Sequence, residues 1–300
     1  MRFTARRLVA GGVRSLVQTR TYASRHAHAE HEQPNYHIPT TFGTRMLLTA
    51  GSALGLLGAP SRGDLLTVLT QTSSMPVIAR LLEQMRSTHE GRRLLVVRPS
   101  LNSATVDLDE LKSLPDGTFG REWVRWLADN NVGPDGRCDA HYMPNLETRY
   151  VIQRYRETHD FYHVLLGMPT STLGETVVKY FELAHMHLPV AALAAVGGSL
   201  RVLNDGRRHA STAEPSQLSE LAPWAWRLGR GVKVPLISIE WERRMSQPLD
   251  ELRTELGISE APPVVLSTAH SRTSGRPVTV VNGRRFRGWP SRVWERHGNK

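Results

Sequence analysis

The chain has a single cysteine, Cys138, in 300 residues. Internal disulfides are therefore excluded, and so is any zinc site built from several thiolates. A bound metal has to rely on histidine and carboxylate. No unbroken run of 18 apolar residues occurs, so no transmembrane helix is expected. Acidic residues are missing altogether before Glu30. Strand-like alternation is scarce, whereas apolar residues recur at helical spacing. The expected fold class is all-α: a single helical domain containing a metal-binding helical hairpin and flanked by disordered ends.

The net charge of +10 resembles a nucleic-acid signal until it is located. Residues 1–23 carry +5 and residues 265–300 carry +7, which leaves −2 for the body between them. Basic ends on a near-neutral body argue against a nucleic-acid-binding face. Residues 1–23 combine arginines, Ser and Thr with a helical stripe of Val9, Val13, Leu16 and Val17. That combination reads as a mitochondrial transit peptide, with a merely disordered basic start as the bland alternative. Residues 24–41 form a polar linker containing His26, His28, His31 and His37, and 42–260 are the helical body. Residues 261–300 read as a flexible basic tail, in which 278–281 and Phe286 could pair as a small hairpin.

Within the body, one helix is expected over 42–58. Two short ones follow at 64–70 and 76–87, the second stopped by Gly91. Residues 94–120 look irregular except for a turn or two near Leu108, Leu111 and Leu114. Further helices are expected at 119–130 and 145–166, and from about Leu173 onward. His185 and His187 stand on opposite sides of that last helix and read as structural or exposed. Pro189 kinks or restarts it, and Gly197-Gly198 breaks the small apolar run 190–196, which could line a slot for a greasy substrate. A polar loop spans 207–223, after which Trp224, Trp226, Leu228 and Val232 return to the core. A helix begins at 236–242, and the final one at 249–256 ends at Gly257.

The chemistry concentrates in one stretch. In a helix, His159 and His163 stand one turn apart on the same face, and Asp160 projects into the same sector. Gly167-Met168-Pro169 ends that helix, and Thr170-Ser171-Thr172 supplies N-cap residues for the next. Glu175 in its first turn can then reach back toward both histidines. Two imidazoles and two carboxylates suit Zn²⁺ or another divalent cation. The bland alternative is that Thr172-Leu173-Gly174-Glu175 is only a capping box. Arg156, three and seven residues before the histidines, could grip a substrate carboxylate or neutralise Asp160 or Glu175.

The motif His159-Asp160-x-x-His163-x₁₁-Glu175 resembles that of the mitochondrial family known as ubiquinone biosynthesis protein 4. So do Arg154-Tyr155-Arg156-Glu157, Gly167-Met168-Pro169-Thr170, Pro115-Asp116-Gly117-Thr118-Phe119-Gly120 and Leu252-Arg253-x-x-Leu256-Gly257-Ile258. The likeness extends from about Thr41 to Ile258 and leaves out the tail. It implies a helical, zinc-binding, peripheral protein on the matrix side of the mitochondrial inner membrane. The implied partners are other ubiquinone-synthesis enzymes in a complex and a polyprenylated quinone precursor; homo-oligomerisation is left open. The implied reaction is C1-decarboxylation of a polyprenylated hydroxybenzoate, in some accounts coupled to C1 hydroxylation. His159, Asp160, His163 and Glu175 match the family's metal ligands.

Rival readings remain at this point. A non-catalytic scaffold that binds a prenyl lipid would use the same helices. His159-Asp160-x-x-His163 also resembles the H-E-x-x-H of zinc peptidases, with a shorter acid in place of the general base. A phosphohydrolase of the His-Asp type would need further ligands that the sequence does not place.

Overall fold

The computed structural model describes residues 37–59, 62–135, 137, 139–209, 213–258, 260 and 262. Among these residues there are ten α-helices and no β-strand, with one isolated bridge joining Thr118 to Pro248. The all-α expectation holds. The transit peptide, most of the linker, Cys138 and nearly all of the basic tail, including its suggested hairpin, lie outside the described residues.

Helix α1 (Phe42–Gly58) packs on α2 (Gly63–Ser87), where Thr49 Oγ1 donates to Thr72 Oγ1 at 2.8 Å. Proline signals predict two helices over this second stretch, but α2 is continuous through Pro76. Proline removes one backbone donor. Here α1, α3 (His89–Val97) and α6 (Leu146–Leu166) all pack on α2 and supply the stability its local sequence lacks. The hydroxyls of Thr67, Thr70 and Thr72 are absorbed by carbonyls four residues back, at 2.7, 2.7 and 2.9 Å. By length and composition α2 would suffice to cross a bilayer, yet 56% of its most apolar window is buried inside the protein.

Other local breakers are overridden as well. Gly91 does not stop a helix; it is the third residue of α3 (His89–Val97), and its N–H donates to the capping Thr88 hydroxyl at 2.9 Å. The supposedly irregular stretch after it therefore begins later, and α4 (Leu108–Ser113) lies within it. Helix α8 (Pro189–Arg208) runs straight through Gly197-Gly198. A Cβ at Gly198 would lie 2.1 Å from Thr176 Oγ1, so the residue lets α8 approach its neighbour closely and does not end it. Helix α9 (Ala213–Gly231) replaces most of the expected loop and passes through Pro223. In place of a helix at 236–242 there are two 3₁₀ turns, Leu236–Ser238 and Trp241–Arg243. Trp224 and Leu228 are buried as expected, but Trp226 is 38% exposed.

The centre of the protein is α6 (Leu146–Leu166), buried around nearly its whole circumference. Phe161 on α6 meets Phe119 and Trp123 of α5 (Phe119–Asn130) and Trp241, at centroid distances of 5.1, 4.9 and 5.4 Å. The contacts with Phe119 and Trp123 are edge-to-face and that with Trp241 is tilted, and such pairs add to the burial energy. Buried Arg154 is held by Glu242 at 2.5 and 2.9 Å and by the Ile239 carbonyl at 2.9 Å. At the C-terminal end, buried Arg253 on α10 (Leu249–Leu256) donates to the Leu165 and Val164 carbonyls at 2.9 and 3.0 Å. A cation there satisfies orphan carbonyls at a helix C-terminus. The middle of α6 and its C-terminal end are thus fixed by the protein's own contacts.

Candidate metal centre

Helix α6 stops at Gly167, which takes the left-handed conformation (φ 67°). The next helix, α7 (Thr172–Met186), is capped by Ser171, whose hydroxyl accepts from Gly174 N at 3.1 Å. A Cβ at Gly174 would lie 2.2 Å from the Pro169 carbonyl, so the tight return needs glycine. Helix α5 anchors the turn. Asn130 Oδ1 accepts from Thr170 N at 2.9 Å, and Trp126 Nε1 donates to the Met168 carbonyl at 2.8 Å.

This hairpin brings His159, His163 and Glu175 together, with one donor atom from each within 4.8 Å of the others. The two Nε2 atoms are 3.2 Å apart. Glu175 Oε2 lies 3.3 Å from His159 Nε2, and Oε1 lies 3.4 Å from His163 Nε2. The capping-box alternative for Glu175 is not what forms: Ser171 is the cap, and the Glu175 carboxylate faces the imidazoles. Each ring is oriented from behind. His163 Nδ1 is 3.1 Å from the Met168 carbonyl, and His159 Nδ1 is 2.7 Å from Glu182 Oε1. Two nitrogens and a carboxylate, with both imidazoles held by outer acceptors, fit a borderline divalent cation such as Zn²⁺. Three protein donors would leave a fourth position open on a four-coordinate cation.

Asp160 is not brought into this group. It is buried, and its Oδ1 accepts from Arg137 Nη2 at 2.6 Å. Helical spacing put Asp160 in the same sector, but 100° of rotation is enough to turn it to a different neighbour. Arg156 places Nη2 2.7 Å from Thr67 Oγ1 on α2 and Nη1 3.4 Å from Gln153 Oε1. Sequence reasoning passed over Glu182, Lys179 and Arg137. Lys179 and Glu182 fall four and seven residues after Glu175, on the same helical face, which was the available signal. Arg137 lies between elements and gave none. His185 is structural: its ring is 3.2 Å from the Gly229 carbonyl, and Nε2 accepts from Leu236 N at 3.1 Å. His187 caps α7 in the left-handed conformation, exposed.

The carboxylates and imidazoles of the site shift one another's titration. Burial and the Lys179 charge both lower the His159 pKa, but Glu182 and Glu175 outweigh them and raise it above the ordinary histidine value. Desolvation acts to raise the Glu175 carboxyl; the charge on His163 and the hydrogen bond to His159 prevail and hold it well below the usual range. The Glu175 side chain is 40% exposed, so the site is open on that side.

An all-helical body with a two-helix centre of two histidines and a carboxylate defines a candidate metalloprotein built on a helical hairpin. The sequence pattern of the family described as coenzyme Q (ubiquinone) biosynthesis protein Coq4 matches residues 35–262. The chain belongs to that family. It is 51% identical to the mitochondrial ubiquinone biosynthesis protein COQ4 of Mycosarcoma maydis, over 94% of this chain and 80% of the relative. It is 42% identical to the mitochondrial COQ4 homologue of Danio rerio, over 80% of this chain and 85% of that protein. A crystal structure of a Nostoc punctiforme protein provisionally assigned to ubiquinone biosynthesis superposes with a TM-score of 0.56. At 20% identity it covers 72% of this chain and 99% of its own, and it shows the shared fold alone.

Proposed function

We propose that the chain is a metal-dependent decarboxylase of ubiquinone biosynthesis, acting at C1 of a 4-hydroxy-3-methoxy-5-polyprenylbenzoate-type precursor. The observation that carries this reading is the convergence of His159 Nε2, His163 Nε2 and the Glu175 carboxylate on one partly open point. When bound there, a divalent cation supplies Lewis acidity toward the phenolate or carboxylate of the substrate. The chain's part is to hold the ring in place and exclude water on the α6 side, where His163 is fully buried. The bond between C1 and its carboxylate breaks, CO₂ leaves, and the electron pair stays on the ring until C1 takes a proton. An oxidative version removes two further electrons and needs dioxygen or a partner protein as acceptor. In this proposal Asp160 joins the cation only by giving up Arg137, and Arg156 meets a substrate carboxylate only by turning from Thr67.

The relatives are named mitochondrial, and we extend that location to this chain. Placement on the matrix face of the inner membrane fits the apolar side chains left exposed on α1 (Phe42, Leu47, Leu54 and Leu57). In the run 190–196 suggested as a slot, Val190, Ala191 and Ala195 are buried whereas Leu193 and Val196 are exposed. An open cleft of about 420 Å³ lies further along, lined by Tyr180, Ser199, Leu218, Ala222, Pro223 and Trp226. That cleft favours a second reading, a prenyl-lipid-binding scaffold within a biosynthetic complex. Purified protein and its His163→Ala variant, given a prenylated hydroxybenzoate with and without air, separate the two. CO₂ release only by the unaltered, metal-loaded protein supports the enzyme; no release under any condition leaves the scaffold.

A further inference from the structure

Glu182 is fully buried on α7. Its Oε1 lies 2.7 Å from His159 Nδ1, and its Oε2 accepts from both Lys179 Nζ and Tyr155 Oη, each at 2.7 Å. Burial, and then the Glu182 charge, push the Tyr155 phenol well above its ordinary pKa, so it keeps its proton and donates. Glu182 and the Lys179 ammonium, 2.7 Å apart, form an ion pair. An ionised carboxylate can only accept.

We propose that Glu182 is the positioning residue that fixes His159 as its Nδ1–H tautomer and so leaves Nε2 bare toward Glu175 and His163. This deepens the metal reading of the centre and rests on it. His163 receives the corresponding orientation from a neutral acceptor, the Met168 carbonyl. The two imidazoles are therefore unequal ligands. The ring backed by a carboxylate is the more basic and binds a cation more tightly. Lys179 Nζ also stands 3.3 Å from His159 Nδ1. Two proton-bearing nitrogens at that distance repel, and the shared Glu182 carboxylate between them offsets the repulsion.

Glu182→Gln tests the assignment because the amide keeps the shape and has a single acceptor oxygen. Lys179 and Tyr155 both claim that oxygen, which turns the NH₂ toward His159 Nδ1. Nδ1 must then accept, and the imidazole proton moves to Nε2, into the metal position. Zn²⁺ affinity, measured by competition with a chromophoric chelator, should fall about 10–100-fold in this variant. ¹⁵N NMR of histidine-labelled apoprotein at mildly alkaline pH should show His159 changing from the Nδ1–H to the Nε2–H tautomer. Adding Lys179→Met removes one rival donor and lets the amide oxygen face Nδ1 again, so the double variant should regain zinc affinity over Glu182→Gln alone. A purely structural role would lower stability in both variants with no tautomer change and no rescue. Zinc bound by E182Q as tightly as by the unaltered protein overturns the proposal. So does an Nε2–H tautomer at His159 in the unaltered apoprotein, a result that needs no variant to fold. The tautomer measurement also stands if the unaltered protein takes up no zinc, an outcome that would sink the metal reading itself.

Discussion

Substituting the two carboxylates of the hairpin separately discriminates between a three-donor and a four-donor centre. Glu175 reaches both imidazoles with a side chain that is 40% exposed. Its loss should cost the metal-free protein only ~0–1 kcal/mol, the usual worth of a solvent-screened ion pair. Asp160 is buried on Arg137, and Asp160→Asn leaves a partly buried guanidinium without its counter-charge. That change should cost ~1–3 kcal/mol whether or not metal is present. Zinc binding adds a separate term. Free zinc at about 100 times its Kd stabilises the native state by ~2.7 kcal/mol. For a domain of this size each kcal/mol moves Tm by ~2–4 °C, so a rise of roughly 5–11 °C is expected on adding zinc to chelator-stripped protein. Glu175→Gln should start near the unaltered Tm and lose most of the zinc-dependent rise. Asp160→Asn should start lower and keep the rise. Thermal unfolding followed by circular dichroism, with and without zinc, reads both quantities. The reverse pattern, with Asp160→Asn abolishing the zinc shift and Glu175→Gln retaining it, would refute the geometry argued here.

Three further outcomes follow from particular contacts. Arg253→Met strips the buried Leu165 carbonyl of its donor, leaves Val164 only its bond from Gly167 N, and should cost ~1–3 kcal/mol in urea unfolding; a loss below ~0.5 kcal/mol would mean α6 is not fixed at that end. Gly174→Ala forces a methyl into the Pro169 carbonyl and should destabilise by ~1–3 kcal/mol. The same substitution displaces Glu175, so zinc affinity should fall with stability, as isothermal calorimetry would record. Burial lowers the His185 pKa to about 4, offset in part by its bond to Gly229. The unfolded chain therefore takes this proton first, and stability falls as pH drops from about 6.5 toward 4, by up to ~1.4 kcal/mol per pH unit. His185→Asn should be the less stable protein at neutral pH and should close much of that gap by about pH 4; a gap that stays constant would remove the role assigned to His185.

Much of the hairpin was legible in the chain. The i,i+4 histidines, the Gly167 stop, the Ser/Thr-rich restart and the early Glu175 are all local features, and local geometry is what periodicity and capping report. Helix ends were misjudged where packing overrides propensity. Pro76, Gly91, Gly198 and Pro223 are breakers in isolation, yet each sits inside a helix held by its neighbours. The 3₁₀ turns at 236–243 have an apolar pattern that helical spacing also fits, and buried Ile237 and Trp241 are placed by the core around α6. Partners remote in sequence left no local trace. Arg137 and Asp160 are 23 residues apart, and Arg154 and Glu242 are 88 apart.

By itself the sequence determined a helical body, a cysteine-free ligand set and two histidines on one helical face. It also determined the turn that returns a glutamate toward them, because spacing and backbone preference act over a few residues. Tertiary structure alone decided that Asp160 turns to Arg137 and that Glu182 backs His159. It also settled which glycines and prolines are tolerated within helices. Those outcomes depend on which surfaces are in contact and dry, and contact across the fold is set by the packing of whole helices.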